Sequence, residues 1–160
     1  MYVDFNYYIS AYCGTAFKME PDFSAYERKA ERRIDVATGR KLSFAFPTEE
    51  HDSCAVKDCI CELAEFLLRV DQYQESASKS MGVIERSDGT VQGKVITSVS
   101  SGSESRGYSA GTSIATDVSE AAKNRKALDS TVYAIIKGGI SGVSDKNGVN
   151  LLYAGPYPRR

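Results

Sequence analysis

The side chains best suited to bind a metal ion lie close together in the first half of the chain. They are the only histidine, His51, and the cysteines Cys54, Cys59 and Cys61. On one continuous helix, at about 100° per residue, Cys59 points roughly 140–160° away from the other two cysteines, so the set cannot converge on one ion. The chain also lacks a C-x-x-C or H-x-x-x-H pair from which a four-ligand site is built. We therefore predict no metal site, and we expect these cysteines to be small apolar packing residues.

The sequence patterns of common catalytic and cofactor sites give no match either. His51 falls in the first turn of a predicted helix, and no G-x-S-x-G sequence supplies a nucleophile elbow. The chain contains no G-x-x-x-x-G-K-[ST] phosphate loop, and no G-x-G-x-x-G sequence follows a strand. We therefore predict that the chain is not an enzyme, that it has no catalytic residues and that it binds no cofactor.

Length and composition are ordinary for a soluble globular protein. The 160 residues are 26% charged and 42% hydrophobic, which is enough for one domain with a substantial core. The formal net charge of −1 gives no overall basic field of the kind used in non-specific DNA binding. No apolar run approaches the ~18 residues of a membrane span, and the first residues do not resemble a signal peptide. We expect a protein of a reducing cytoplasm, with thiols rather than disulfides and no membrane partner.

Apolar residues at helical spacing predict four amphipathic helices, with Asp4, Thr48 and Asp117 as N-terminal caps of the first, third and fourth. These helices span about residues 5–12, 21–38, 48–74 and 117–138. The third helix is apolar on more than one side, which is typical of a helix at the centre of a core. Gly138-Gly139 is expected to end the fourth helix.

A polar stretch rich in serine and glycine, residues 78–117, separates the third helix from the fourth. A loop of this length inside a compact domain is uncommon and usually functional. Alternating residues from Lys94 to Ser100 predict a strand, Ser101–Glu104 a turn, and Ser105–Ser109 a returning strand. A single two-stranded hairpin is marginally stable in water, so it would need a neighbouring surface or another chain.

The fold class predicted from these patterns is mainly α. We predict a helical domain over residues 1–138, which includes the loop or hairpin at 78–117, and an extended C-terminal tail over residues 139–160. The tail is rich in glycine and serine until a small apolar cluster at Leu151-Leu152-Tyr153.

Five short motifs follow one another along nearly the whole chain. They are Tyr2–Tyr8, Phe23–Ala30, Val56–Glu65, the sequence S-E-S-R-G-Y-S at Ser103–Ser109, and L-L-Y-A-G at Leu151–Gly155. Together they resemble the head–tail connector (adaptor) proteins of tailed bacteriophages that infect Gram-positive bacteria. That family carries an S-E-x-x-G-x-Y-S element and an L-L-Y-R-G end. This chain lacks one residue between Gly107 and Tyr108, and Ala154 stands where a basic residue is usual.

The resemblance implies a structural virion protein of the neck, assembled in the cytoplasm of the host bacterium. Such a protein forms a homo-oligomeric ring, expected to be a dodecamer, beneath the portal protein. The ring extends the DNA channel, lets DNA pass without sequence-specific binding, and docks the next neck or tail-completion protein.

Two groups of residues are expected to make the contacts of such a ring. The predicted subunit or neck interface consists of Val95, Ile96, Val99, Glu104, Arg106 and Tyr108. The predicted portal-docking residues are Leu151, Leu152, Tyr153 and Tyr157. Aromatic side chains on a flexible tether are common anchors, because they bury a large area at low entropic cost. The alternative for this second group is that the tail folds back onto its own helices.

A different class of function also fits the helical pattern, namely a small DNA- or protein-binding regulator that acts as a dimer. The second helix carries the basic pairs Arg28-Lys29 and Arg32-Arg33, although Glu27, Glu31 and Asp35 cancel most of their charge. The connection from the second helix to the third is too long for a helix-turn-helix motif.

Overall fold

The computed structural model of the chain is mainly helical, and it describes residues 1–79, 81–85, 91–95, 98–101, 104–107 and 117–155. The helices of these residues are α1 (Phe5–Ser10), α2 (Glu20–Ala37), α3 (Lys41–Phe44), α4 (Glu50–Lys79), α5 (Asp117–Lys123) and α6 (Arg125–Ile140). The strands are β1 (Met81–Glu85), β2 (Val91–Val95), β3 (Ser98–Ser101) and β4 (Glu104–Gly107). The mainly α class predicted from the sequence is therefore confirmed. No helix within the described residues is both long enough and apolar enough to cross a membrane.

Helix α4 lies at the centre of the core, where α2, α5 and α6 all pack against it. Its residues Val56, Ile60 and Leu63 are completely buried, and α2 and α6 contribute Ile34 and Ile136 to the same cluster. Apolar side chains on more than one side of α4 explain this position, because each side has a different helix to pack against.

An aromatic cluster joins the start of the chain to this core. The Asp4 carboxylate caps α1 by accepting a hydrogen bond from the Tyr7 backbone N–H at 2.7 Å. Behind this cap, the Tyr8 ring is buried and stacks on the Phe23 ring with a centroid distance of 4.7 Å. The Tyr8 hydroxyl donates to Glu65 on α4 at 2.8 Å and accepts from the backbone N–H of Ala16. Its polar atom is therefore satisfied inside the core.

The predicted fourth helix is two helices in the structure. α5 ends at Lys123, and the Asn124 side chain then caps α6 by accepting from the Lys126 backbone N–H at 2.9 Å. An asparagine in extended conformation is a favourable N-cap, which explains the break within a continuous apolar pattern. The predicted end at Gly138-Gly139 is also wrong, because α6 continues to Ile140. The short helix α3 was not predicted from the sequence.

The stretch between α4 and α5 contains two antiparallel strand pairs among its described residues. β1 pairs with β2 so that Met81 is opposite Val95, and β3 pairs with β4 so that Ser101 is opposite Glu104. The single strand predicted from Lys94 to Ser100 is divided between β2 and β3. Other residues of this stretch, including Ile96 and Tyr108, lie outside the described residues.

The chain after residue 138 packs against the helices. Ile140, Val143 and Leu151 are buried in the main core, and the backbone N–H of Ser144 donates to Asp52 on α4 at 3.0 Å. Residues of the segment 139–155, which the sequence assigns to the tail, therefore contribute to the same core as the helices, while the division into domain and tail stays a prediction.

Candidate functional site

The predicted subunit or neck interface falls on the two strand pairs. Val95 ends β2, Val99 lies in β3 opposite Arg106, and Glu104 begins β4 opposite Ser101. The register thus brings Val99 and Arg106 together, while Ile96 and Tyr108 fall outside the described residues.

The strand pairs have few contacts with the rest of the subunit. Among the described elements, only α4 makes more than a marginal contact with either pair, and that contact is with β1, which follows it in the chain. Among the described residues, each strand is paired along one edge, because both sheets are two-stranded. Isolated two-stranded pairs are marginally stable, and a free strand edge can pair with another chain.

The predicted portal-docking residues are divided between the core and the surface. Leu151 is completely buried and Leu152 is partly buried against the core, whereas 52% of Tyr153 is exposed. Tyr157 lies outside the described residues. We therefore correct the prediction for Leu151, because a side chain buried in its own subunit cannot contact a second protein without unfolding this segment.

Lys41 on α3 fixes the conformation of this C-terminal segment. Its ammonium group donates to the backbone carbonyls of Asn150 and Leu151, at 3.2 and 2.9 Å, and also to that of Tyr153. Burial of the side chain lowers the pKa of Lys41 from its ordinary value, and the nearby Asp145 carboxylate opposes that shift. Three carbonyl acceptors satisfy the three N–H donors of the buried ammonium.

Four exposed apolar side chains form an open groove beside this segment, which we call the aromatic groove. They are Val36 at the end of α2, Phe44 at the end of α3, Tyr133 on α6, and Tyr153. The groove has a volume of about 1330 Å³. Sequence reasoning missed it, although Val36 and Tyr133 lie outside the apolar stripes of their helices, which was a usable signal.

The cysteines and the histidine lie in different surroundings. Cys59 and Cys61 are buried, and burial raises the pKa of both thiols to about 12, which makes them poor nucleophiles. His51 is exposed, with its Nδ1 3.6 Å from the Asp52 carboxylate. The part of the chain that the structure describes holds no group of three or more metal-ligating side chains.

The basic side chains of α2 are partly occupied by ion pairs inside the subunit. Lys29 contacts the Asp71 carboxylate at 2.9 Å, and Arg33 contacts the Asp129 carboxylate at 3.2 Å. Both pairs reduce the positive charge that this helix could offer to a phosphate backbone.

We compared the chain with protein-family models, with curated proteins and with solved structures, and none of the three comparisons gives a match.

Proposed function

We propose that this chain is a structural virion protein, the head–tail connector (adaptor) of a tailed bacteriophage. In this proposal the subunits form a ring of twelve beneath the portal, extend the DNA channel and dock the next neck or tail-completion protein. In this proposal the chain is a helical adaptor domain, and the long stretch between α4 and α5 makes contacts with other proteins of the assembly.

The observation that carries this proposal is the small contact between the described strands and the helices. Among the described elements, only α4 contacts a strand pair more than marginally, and it does so through β1. Ordering such segments costs conformational entropy, which contacts within the subunit do not offset. A neighbouring subunit or the next neck protein would supply the missing surface, by strand addition or by packing.

Two further features support a conduit rather than a DNA-binding regulator. The net charge of −1 avoids a strong grip on the phosphate backbone, which would oppose sliding of DNA through a channel. The ion pairs of Lys29 and Arg33 on α2 weaken the basic cluster that a regulator would use.

The C-terminal tail supplies the proposed portal contact, through fewer residues than the sequence predicts. Leu151 is part of the core, so the contact is assigned to Leu152, Tyr153 and Tyr157. Tyr153 is exposed and is held in place through its carbonyl by Lys41.

The proposal is tested by replacing Val95, Ile96 and Val99 together with glycine. The helices should keep their circular dichroism signal and melting temperature, because the described strands pack on little of the core. Incorporation into phage particles, measured by immunoblotting of purified virions, should be abolished. Unchanged incorporation would show that this stretch is a passive loop.

The regulator is the competing function, and an electrophoretic mobility shift assay separates the two. A regulator would bind a defined duplex tightly and lose affinity steeply as salt increases. The connector should show only weak binding that is independent of sequence.

A further inference from the structure

The exposed apolar side chains of this chain are concentrated in one place. Of the seven large apolar side chains that are exposed in the described residues, four line the aromatic groove. Val36 and Phe44 are the most exposed of all, at 79% and 76%. Single exposed apolar residues are normal, but a contiguous apolar patch marks an interaction surface.

The walls of the groove are fixed by hydrogen bonds before any partner arrives. At the end of α2, the Thr38 hydroxyl donates to the Ile34 carbonyl at 2.9 Å. Gly39 and Arg40 then adopt left-handed backbone conformations that turn the chain into α3. On the opposite wall, Lys41 holds the loop that carries Tyr153. A preformed site loses less entropy on binding than a site that must first become ordered.

The exposed charge among the described lining residues of the groove is positive and belongs to Lys146, because the Lys41 ammonium is buried and bound by three backbone carbonyls. The charged lining residues are Lys41 and Lys146. Lys146 is exposed and makes no ion pair with a described residue. Asp145, whose charge acts on Lys41, is buried and accepts hydrogen bonds from the backbone N–H groups of Asn147 and Val149, so it does not offer its charge to the open side. A carboxylate on an incoming molecule would therefore be attracted.

We propose that the aromatic groove binds an acidic peptide segment of another protein, with apolar or aromatic side chains as its anchors. The volume exceeds the 300–1,000 Å³ that is typical of small-molecule sites, which favours a peptide. A symmetric contact with a second copy would set Lys146 of one chain against Lys146 of the other, and this repulsion disfavours it. The three aromatic residues supply the anchor pockets that dominate binding energy at interfaces.

The test begins with a library of short random peptides displayed on an unrelated carrier and selected on the immobilised full chain. Selected peptides should be enriched in Asp or Glu together with Leu, Phe or Trp. The most enriched peptide is then synthesised with a fluorescein label and titrated with the chain by fluorescence anisotropy. Affinity should fall as salt increases, because exposed charges contribute to it.

Variants of the groove decide whether binding occurs there. Phe44→Ser and Lys146→Glu should each weaken binding of the labelled peptide by about tenfold or more, since an anchor or a favourable charge is removed. Met19→Ser is the matched control, because Met19 is 60% exposed, lies at the other end of α2 and should leave the affinity unchanged. All three substitutions are on the surface, so the melting temperature checks that each variant is folded.

Several outcomes would overturn the proposal. Failure to enrich any peptide, enrichment of peptides without acidic residues, or unchanged affinity of the Phe44→Ser variant would each do so. A dimer in light scattering of the chain alone that Phe44→Ser abolishes would assign the groove to a second copy instead.

Discussion

At the scale of single residues, Glu27 on α2 is a carboxylate with two differently placed oxygens. Its side chain is completely buried, and Oε1 accepts hydrogen bonds from the backbone N–H groups of Tyr2 and Val3 at 3.1 and 3.4 Å. Oε2 is buried without a hydrogen-bond partner among the described residues. Burial raises the pKa of Glu27 and the charge of Glu31 adds to this, while the two N–H donors lower it. The net direction is upward.

This pKa shift predicts how stability depends on pH. Because the pKa of Glu27 lies above its ordinary 4.5 in the folded chain, the folded state holds the proton more tightly than the unfolded state. Stability is therefore lost as pH rises from about 4.5 through the folded pKa. Glu27→Gln keeps an acceptor oxygen but cannot ionise. We therefore expect its free energy of unfolding, measured relative to that of wild type, to increase as pH rises through this range. Urea unfolding at several pH values measures the difference.

The matched control at this position is Glu27→Ala. It leaves two backbone N–H groups without their acceptor, so its free energy of unfolding should lie about 1–3 kcal/mol below that of Glu27→Gln at every pH. If the free energy of unfolding of Glu27→Gln differs from that of wild type by the same amount at all pH values, the raised pKa of Glu27 is contradicted.

At the scale of elements, close packing of α6 against α4 depends on one glycine. A Cβ atom at Gly139 would lie 2.8 Å from Cys59 Sγ and 2.9 Å from Cys59 Cβ, which is closer than real contacts. A Cβ atom at the neighbouring Gly138 would meet nothing within 4 Å. These two glycines lie in the same turn of the same helix, so a substitution at Gly138 is a control for the same substitution at Gly139.

We therefore expect Gly139→Ala and Gly138→Ala to have opposite effects on stability. Gly138→Ala should raise the free energy of unfolding by about 0.5–1 kcal/mol, because alanine favours a helix over glycine. Gly139→Ala should lower it by about 1–3 kcal/mol, because α6 must move away from α4. Chemical denaturation measures both variants. Equal stabilisation by both substitutions would mean that α4 and α6 are not in close contact at Cys59.

The C-terminal segment gives a second prediction at this scale. Leu151→Ala should lower the free energy of unfolding by about 2–5 kcal/mol, since its side chain is completely buried in the main core. Tyr153→Ala, two residues further on, should cost less than about 1 kcal/mol, because half of its side chain is exposed. Thermal unfolding compares the two. A small effect of Leu151→Ala would contradict the burial of this side chain and support the extended tail that the sequence predicts.

Apolar periodicity predicted the long helices because burial on one face leaves a repeating pattern in the sequence. It did not predict the break at Asn124, where a local cap divides a continuous apolar stripe. It also misjudged Gly138-Gly139, because a glycine that ends one helix can elsewhere permit close contact between two helices. Val36 and Tyr133, outside the apolar stripes of their helices, were a signal for an exposed apolar surface, but the sequence did not show that they lie beside Phe44 and Tyr153, because only the fold brings these four segments together.

At the scale of the whole molecule, the subunit combines a complete core with surfaces that no described part of the chain covers. The core of α2, α4, α5 and α6 also includes Leu151 of the C-terminal segment. Among the described elements, only α4 contacts a strand pair more than marginally, and four apolar side chains that line the aromatic groove are exposed. We therefore expect a folded monomer in isolation and ordered assembly only on a template, which offsets the entropy of ordering the strands.

The most direct test of the proposed connector is the mass of the complex formed with the portal protein of the same phage. Light scattering of the chain alone at micromolar concentration should show the 17.5 kDa monomer as the main species, with no ring. Addition of purified portal rings should give one new species, heavier than the portal by twelve subunits, about 210 kDa. A portal mass that does not change at saturating chain concentration would contradict the proposed function.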